Sequence, residues 1–149
     1  MKQRQSVSLI APMYNEQEVI EIFFNAVEQH LGPHNIDYEI ICINDGSIDD
    51  TFTILKRYAK KDTRIKIVNF SRNFGKEIAL SAGIDFANND CIVPIDCDLQ
   101  DPPELIVDMF NEWQAGYDVV LAKRNDRSSD SYIKRTTSSL FYKLIVIVP

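Results

Sequence analysis

VPIDCDLQDPP, residues 93–103, is the stretch around which the rest of the chain is organised. It continues an apolar run from Cys91 through Ile95, which reads as a buried strand. It closes on Asp101-Pro102-Pro103-Glu104, a helix start with Asp101 as cap and proline at the first helical position. Between strand and helix, Asp96 and Asp98 flank one residue, and Gln100 lies two further on. Mg²⁺ and Mn²⁺ take oxygen ligands and share them with substrate phosphates. Two carboxylates at i and i+2, just past a strand's C-terminal end, can supply such a site where ligands bind in open α/β sheets. Short D-x-D strings also serve as solvated turns and helix caps, so the remainder of the chain has to decide.

At 149 residues the chain is expected to form one domain, long enough to bury roughly 70% of its unfolded surface. Its composition, 45% apolar and 26% charged, is that of a soluble globular protein rather than a disordered or fibrous one. No apolar run approaches the ~20 residues of a membrane span, and no signal-peptide pattern follows Met1-Lys2-Gln3-Arg4. Cys42, Cys91 and Cys97 are odd in number and lack C-x-x-C spacing. Cys42 and Cys91 read as small core residues in a reducing compartment, so the expected location is cytoplasmic. A net charge of −6 argues against a nucleic-acid partner. Basic residues nevertheless gather towards the end: Lys123, Arg124, Arg127, Lys134, Arg135 and Lys143 outnumber Asp126 and Asp130. Such a stretch is a solvated surface, a local anion site, or a face apposed to acidic lipid headgroups.

Apolar periodicity divides the chain into alternating strands and helices. Residues 6–11 suit a first strand ended by Pro12. Asn15 and Glu18 fit a helix cap and its third-position carboxylate. Ile20, Phe23, Phe24, Val27 and Leu31 follow on one helical face, which Gly32-Pro33 stops. Asp37–Asn44 reads as a second strand. It turns at Asp45-Gly46-Ser47, where Ser47 and Asp50 repeat the capping pattern before a helix that buries Phe52, Leu55, Tyr58 and Ala59. Residues 65–70 are a third strand. The helix after it is expected to bury Ile78, Ala79, Ala82 and Phe86, with Gly83 allowing close approach to the sheet. A fourth strand, 91–95, contains Pro94, which cannot donate to a ladder; the strand either bulges there or is only half paired. The fourth helix buries Ile106, Met109, Phe110 and Trp113 and ends at Gly116. Residues 118–122 read as a fifth strand. A final segment carries Ile133, Thr137, Leu140, Phe141, Leu144, Ile145 and Val148 at helical spacing, though its β-branched tail also suits a strand. The alternation predicts an α/β fold, a mostly parallel sheet with helices on both faces.

In a parallel sheet the polar ends of strands one, two and four fall on one edge, where helix N-termini favour anions. Those ends are residues 12–16, 44–47 and 96–98. Together they point to a nucleotide over strands one and two with a metal-bound diphosphate near strand four. The absence of G-x-G-x-x-G after strand one, and of any G-x-x-x-x-G-K-[ST], weighs against a dinucleotide oxidoreductase or a P-loop nucleotidase. Residues 71–76 could bring Arg72 and Lys76 near phosphates, or form a solvated loop. His30 and His34 lack metal-ligand partners and read as ordinary helix-end residues.

PMYNE (12–16), NDGSIDDT (44–51), SRNFGKE (71–77) and DCDLQDPPE (96–104), in this order and spacing, resemble family-2 glycosyltransferases of the GT-A fold. Within the family they are most similar to the polyprenyl-phosphate branch, which includes dolichol-phosphate mannosyltransferases and bactoprenol glucosyltransferases. The resemblance implies a nucleotide-sugar donor, a UDP-hexose. Pro12, Tyr14, Glu16 and Asp45 would hold base and ribose, with Lys76 and Asp96 on the donor as well. Asp96, Asp98 and Gln100 would hold Mg²⁺ or Mn²⁺ on the diphosphate. It further implies a single inverting displacement that moves a hexose, glucose above others, onto undecaprenyl phosphate for cell-surface polysaccharide (O-antigen) modification. Asp98 and Arg124 are the expected catalytic residues, and Arg124, Arg127, Lys134 and Arg135 the expected acceptor-phosphate site. Family members continue well beyond this length, and the polyprenyl branch usually adds membrane helices. The expectation is therefore one donor-binding domain, 1–149, truncated at its C-terminus, with the cytoplasmic face of the inner membrane as its alternative location. A catalytically silent nucleotide-sugar-binding remnant is the alternative function. A sugar-nucleotide pyrophosphorylase is disfavoured, because no Gly-rich loop bearing Arg and Lys follows strand one.

Overall fold

The computed structural model describes residues 5–100 and 102–122. Strands β1 (Ser6–Met13), β2 (Asp37–Asn44), β3 (Ile65–Asn69) and β4 (Cys91–Pro94) alternate with helices α1 (Ile20–Leu31), α2 (Thr51–Ala59), α3 (Lys76–Phe86) and α4 (Glu104–Gln114). The strands pair in parallel in the order β3-β2-β1-β4. The chain first builds outward from β1 to β3, then returns to add β4 on the other side. A topological switch point therefore lies between β1 and β4, where the loops leaving the strands diverge and open a crevice.

Backbone direction explains how two prolines fit this sheet. The Ile10 carbonyl accepts the Ile95 N–H at 2.9 Å, and the Met13 carbonyl accepts the Asp45 N–H at 2.9 Å. Strand residues alternate the side to which their backbone groups point. Pro12 thus faces the β4 side, beyond the last β1–β4 pair, Ile10↔Pro94. No bond is lost, and β1 runs on to Met13 instead of ending at residue 11. Pro94 faces away from β1, onto the edge of the sheet among the described residues, so β4 is half paired rather than bulged.

Alternate β1 and β2 side chains supply two cores. Leu9, Ala11, Met13, Ile40 and Cys42 pack with residues of α1, α2 and α4. Ile10, Ile41, Ile43 and Ile92 pack under α3. Helix α1 buries Ile20, Phe23, Phe24, Val27 and Leu31, as their spacing predicts. Helix α2 fully buries Leu55, with Tyr58 and Ala59 packed at the core margin.

Helix α3 departs from expectation. Ala79 and Gly83 are its buried residues, whereas Ile78 is 51% and Phe86 57% exposed. Leu80, Ile84 and Ala87 flank the contact instead. The cause is Gly83: a Cβ there would lie 2.3 Å from Ile10 Cγ2 and 2.7 Å from Ile43 Cδ1. The helix settles onto the sheet along its small residues, and its larger apolar ones turn outward. Helix α4 buries Ile106, Val107 and Phe110, with Met109 and Trp113 packed at the margin. Pro103 takes the N-cap position of α4 rather than the first helical one, and the expected cap Asp101 lies outside the described residues.

The two side-chain caps expected for α1 and α2 are corrected as well. Val19 and Asp50 stand at those N-caps without side-chain cap bonds. Asn15, at φ 56°, accepts the Ile48 N–H at 2.9 Å and donates its own N–H to the Ser47 hydroxyl at 3.0 Å. The capping residues thus join the β1 and β2 loops to each other. Residues 118–122 form no strand; Val119 and Leu121 are 48% and 54% exposed. A strand needs a ladder, and among the described residues the outer edge of β4 is four residues long and lacks the Pro94 donor. The last periodic segment, 133–148, lies outside the described residues. Among those described, no helix is long and apolar enough to cross a membrane.

Candidate functional site

The C-terminal ends of β1, β2 and β4 enclose a cleft of about 310 Å³ at the switch point. Pro12, Met13, Tyr14 and Glu16 line it from β1, and Asp45 from β2. Asn73, Gly75 and Lys76 line it from the head of α3, and Asp96, Cys97 and Asp98 from β4. Pro12, Tyr14, Glu16, Asp45, Lys76, Asp96 and Asp98 are thus brought together as nominated from sequence. Asn73, Gly75, Met13 and Cys97 were missed. The first two lie inside the SRNFGKE motif, in which charge singles out Arg72 and Lys76, near phosphates or in a solvated loop. Arg72 is not in the cleft; its guanidinium lies 4.8 Å over the Phe74 ring.

The β2 turn builds the cleft wall. Asp45 is only 3% exposed, and its two oxygens accept the Phe74 N–H at 2.7 Å and the Gly75 N–H at 2.9 Å. Gly46, at φ 67°, lies so close to the neighbouring loop that a Cβ would sit 2.2 Å from the Arg72 carbonyl carbon. Asn44, also buried, donates to Asn69 Oδ1 at 2.6 Å and accepts the Ser47 N–H at 3.3 Å. The Asn44-Asp45-Gly46 turn therefore holds residues 72–75 by their backbone and sets the start of α3.

Opposite that wall, Lys76 Nζ contacts Asp96 Oδ1 at 2.6 Å and Oδ2 at 2.7 Å. Leu99 adopts φ 56° in the turn after Asp98, and Asp98 Oδ1 accepts the Gln100 N–H at 3.1 Å. Burial, and then the charges of Asp98, Asp49 and Asp96, raise the Glu16 carboxyl above its ordinary pKa. Burial, followed by Glu16, Asp98 and Asp96, pushes the Cys97 thiol up to about 12. Cys97 is 3% exposed and packs into the core beneath the cleft.

The donor set bears on which cation the cleft can take. Among the described residues, no group of three or more His, Cys, Asp or Glu side chains is arranged to hold a metal. Asp96 and Asp98 offer carboxylates from one turn, and Glu16 lines the same cleft, so acidic groups gather there. That fits Mg²⁺ or Mn²⁺ held by one or two carboxylates and completed by water and phosphate oxygens, not a closed protein cage. Arg124, Arg127, Lys134 and Arg135, the expected acceptor-phosphate residues, lie outside the described residues.

Comparison with known proteins places this architecture. The model of the family described as "Glycosyl transferase family 2" matches residues 8–147. An uncharacterized glycosyltransferase of Synechocystis sp. is 50% identical over 139 residues, 93% of this chain and 44% of that protein. A prophage bactoprenol glucosyl transferase homolog of Escherichia coli is 49% identical over 138 residues, 93% of this chain and 45% of its own length. The chain thus spans under half the length of these curated relatives. Among solved structures, the mannosyltransferase PcManGT from Pyrobaculum calidifontis, in complex with GDP-Man and Mn²⁺, aligns with a TM-score of 0.67 at 24% identity. The alignment covers 83% of this chain and 37% of that one. Staphylococcus aureus TarS 1–349 in complex with UDP-GlcNAc aligns with a TM-score of 0.67 at 21% identity, over 85% and 36% of the two chains. Both likenesses concern the fold, which is GT-A. By the match across nearly its whole length, the chain belongs to glycosyl transferase family 2.

Proposed function

We propose that this chain is the donor-binding part of a glycosyltransferase that moves a hexose from a nucleotide sugar onto a polyprenyl phosphate. Glucose from UDP-glucose and undecaprenyl phosphate are the favoured pair, in keeping with the bactoprenol glucosyl transferases among its relatives. The observation that carries the reading is the convergence of three separate strand ends on one cleft at the switch point. Pro12, Tyr14 and Glu16 form one side of the proposed nucleoside pocket. Asp45 supports it from beneath, with both oxygens already committed to the 74–75 backbone.

Asp96 and Asp98, with Gln100, are the proposed holders of Mg²⁺ or Mn²⁺. Such an ion supplies Lewis-acid stabilisation of the departing nucleoside diphosphate. Lys76 places a further cation beside the same diphosphate. A polyprenyl phosphate attacks through an oxygen that is already largely anionic at pH 7, its second pKa being near ~6. It therefore needs positioning by cations more than a general base. Arg124, Arg127, Lys134 and Arg135 are proposed for that task, with inversion at the sugar carbon following from a single displacement. The reaction would take place at the cytoplasmic face of the membrane, where a lipid phosphate and a soluble donor meet, and would serve cell-surface polysaccharide modification.

Calorimetric titration of the 149-residue chain with UDP and Mn²⁺ tests the donor site. Binding should require the metal and weaken by at least ~10-fold in Asp98→Ala, the loss expected for a charged ligand. Absence of metal-dependent binding of either UDP or GDP would refute the reading. Transfer of labelled glucose to a polyprenyl phosphate tests the reaction. Binding without transfer would leave this chain a nucleotide-sugar-binding remnant.

A further inference from the structure

Lys76 and Asp96 are the charged pair that spans the cleft, one at the first residue of α3 and the other at the end of β4. The ammonium contacts both carboxylate oxygens, at 2.6 and 2.7 Å. While it does so, Asp96 cannot give a cation its full coordinating capacity. Resting on the donor-site reading above, we propose that this ion pair is a displaceable placeholder. Lys76 pairs with Asp96 until cation and diphosphate bind; Asp96 would then hold the cation, and the released ammonium would move onto a phosphate oxygen.

The surroundings of the pair favour exchange over a permanent bond. The two side chains are 57% and 41% exposed, and ion pairs so open to water hold weakly. The backbone beneath Lys76 is, by contrast, firmly placed. Asp45 holds the N–H groups of Phe74 and Gly75, and Gly46 lies against the Arg72 backbone. A fixed Cα with a flexible four-carbon stem lets the ammonium swing within the cleft without moving the helix.

Charge balance supplies the reason to swing. Glu16, Asp96 and Asp98 line the same cleft and already crowd acidic groups into this space. Lys76 offsets Asp96 through their ion pair. A nucleoside diphosphate brings more negative charge, which Lys76 can offset only after something else has taken over Asp96. Cation and diphosphate should therefore help each other bind, by the same factor in either order. Lys76 is a positioning residue for both.

Binding of Mn²⁺ alone, followed by electron paramagnetic resonance, and of UDP at saturating Mn²⁺, followed by calorimetry, tests this on the full chain and on Lys76→Met. In Lys76→Met, Mn²⁺ alone should bind about 3- to 5-fold tighter, since an exposed ion pair no longer has to be broken. UDP should bind about 10-fold weaker, since a charge-assisted bond to phosphate is lost. Lys76→Arg should stay close to the original protein in both. Unchanged or weaker Mn²⁺ binding by Lys76→Met, with normal metal-dependent UDP binding by the original chain, would overturn the exchange alone. Failure of the original chain to bind UDP with Mn²⁺ would overturn both the exchange and the donor-site reading.

Discussion

Asp45 and Gly75, thirty positions apart in sequence, are joined by a 2.9 Å bond from the Gly75 N–H to a carboxylate that is only 3% exposed. Through this bond and its companion from Phe74, the end of β2 determines where α3 begins. It thereby determines where Lys76 stands in relation to Asp96. Replacing Asp45 by Ala removes two charge-assisted bonds and leaves two partly buried N–H groups unpaired. A loss of about 2–4 kcal/mol is expected. Asp45→Asn, which keeps an acceptor, should lose roughly half as much. Urea denaturation measures both, and equal stability of the alanine variant would show that the loop is held by other means.

Gly83→Ala opposes two effects. Alanine in a helix interior gains about 1 kcal/mol over glycine. Here its methyl would meet Ile10 Cγ2 at 2.3 Å and Ile43 Cδ1 at 2.7 Å, on side chains with no exposed surface. Overpacking of a filled core costs about 1–3 kcal/mol. A net loss of up to about 2 kcal/mol is expected in the denaturation midpoint, and a gain would mean that α3 can lift off the sheet at little cost.

Glu39 should make stability fall in acid. Its carboxylate is 6% exposed and accepts from the Ser8 hydroxyl at 2.5 Å and the Asn88 N–H at 3.0 Å, with Lys66 Nζ at 2.5 Å. Burial, the largest influence, disfavours its charge, but Lys66, Ser8 and Asn88 together outweigh it and hold the group below its ordinary pKa of 4.5. A depressed carboxylate stabilises the fold above its unfolded pKa and ceases to do so as pH falls through the folded value. Stability should therefore be flat near pH 7 and decline below about pH 5. Glu39→Gln should lower stability at pH 7 by about 1–3 kcal/mol and reduce the acid slope. Some slope should persist, because Glu28, Asp49 and Asp62 are also held low. An unchanged slope in Glu39→Gln would assign the acid response to those groups.

Buried and exposed apolar side chains should respond differently to substitution. Leu55, with no exposed surface, should cost about 2–5 kcal/mol when cut to Ala. Ile48, 88% exposed, should tolerate Ser within about 0.5 kcal/mol. Thermal unfolding of the two variants provides the comparison, and equal shifts would contradict the burial described here.

Several features were legible in the sequence because they depend on local periodicity. Ile20, Phe23, Phe24, Val27 and Leu31 specify one face of α1 by spacing alone, and a continuous run of buried side chains marks β2. The strand–helix alternation selects a parallel sheet, since parallel strands need long crossovers. The strand-end positions of Pro12, Tyr14, Glu16, Asp45, Asp96 and Asp98 then follow from topology, and their motifs point to the family that the whole-chain match establishes.

What the tertiary structure alone decided depends on distances between segments far apart in sequence. A helical wheel selects Ile78 and Phe86 for the core of α3; the close seat of Gly83 on Ile10 turns them outward. Capping patterns assign Asn15 and Ser47 to separate helices, yet they bond to each other across the β1 and β2 loops. The role of a proline within a strand rests on which side its missing donor faces, and that required the sheet order. In the cleft, composition identified the charges; the fold paired Lys76 with Asp96, turned Arg72 onto Phe74 and committed Asp45 to the loop. Periodicity is written residue by residue along a chain, whereas the partner of a charge exists only once two loops have been brought within about 3 Å of each other.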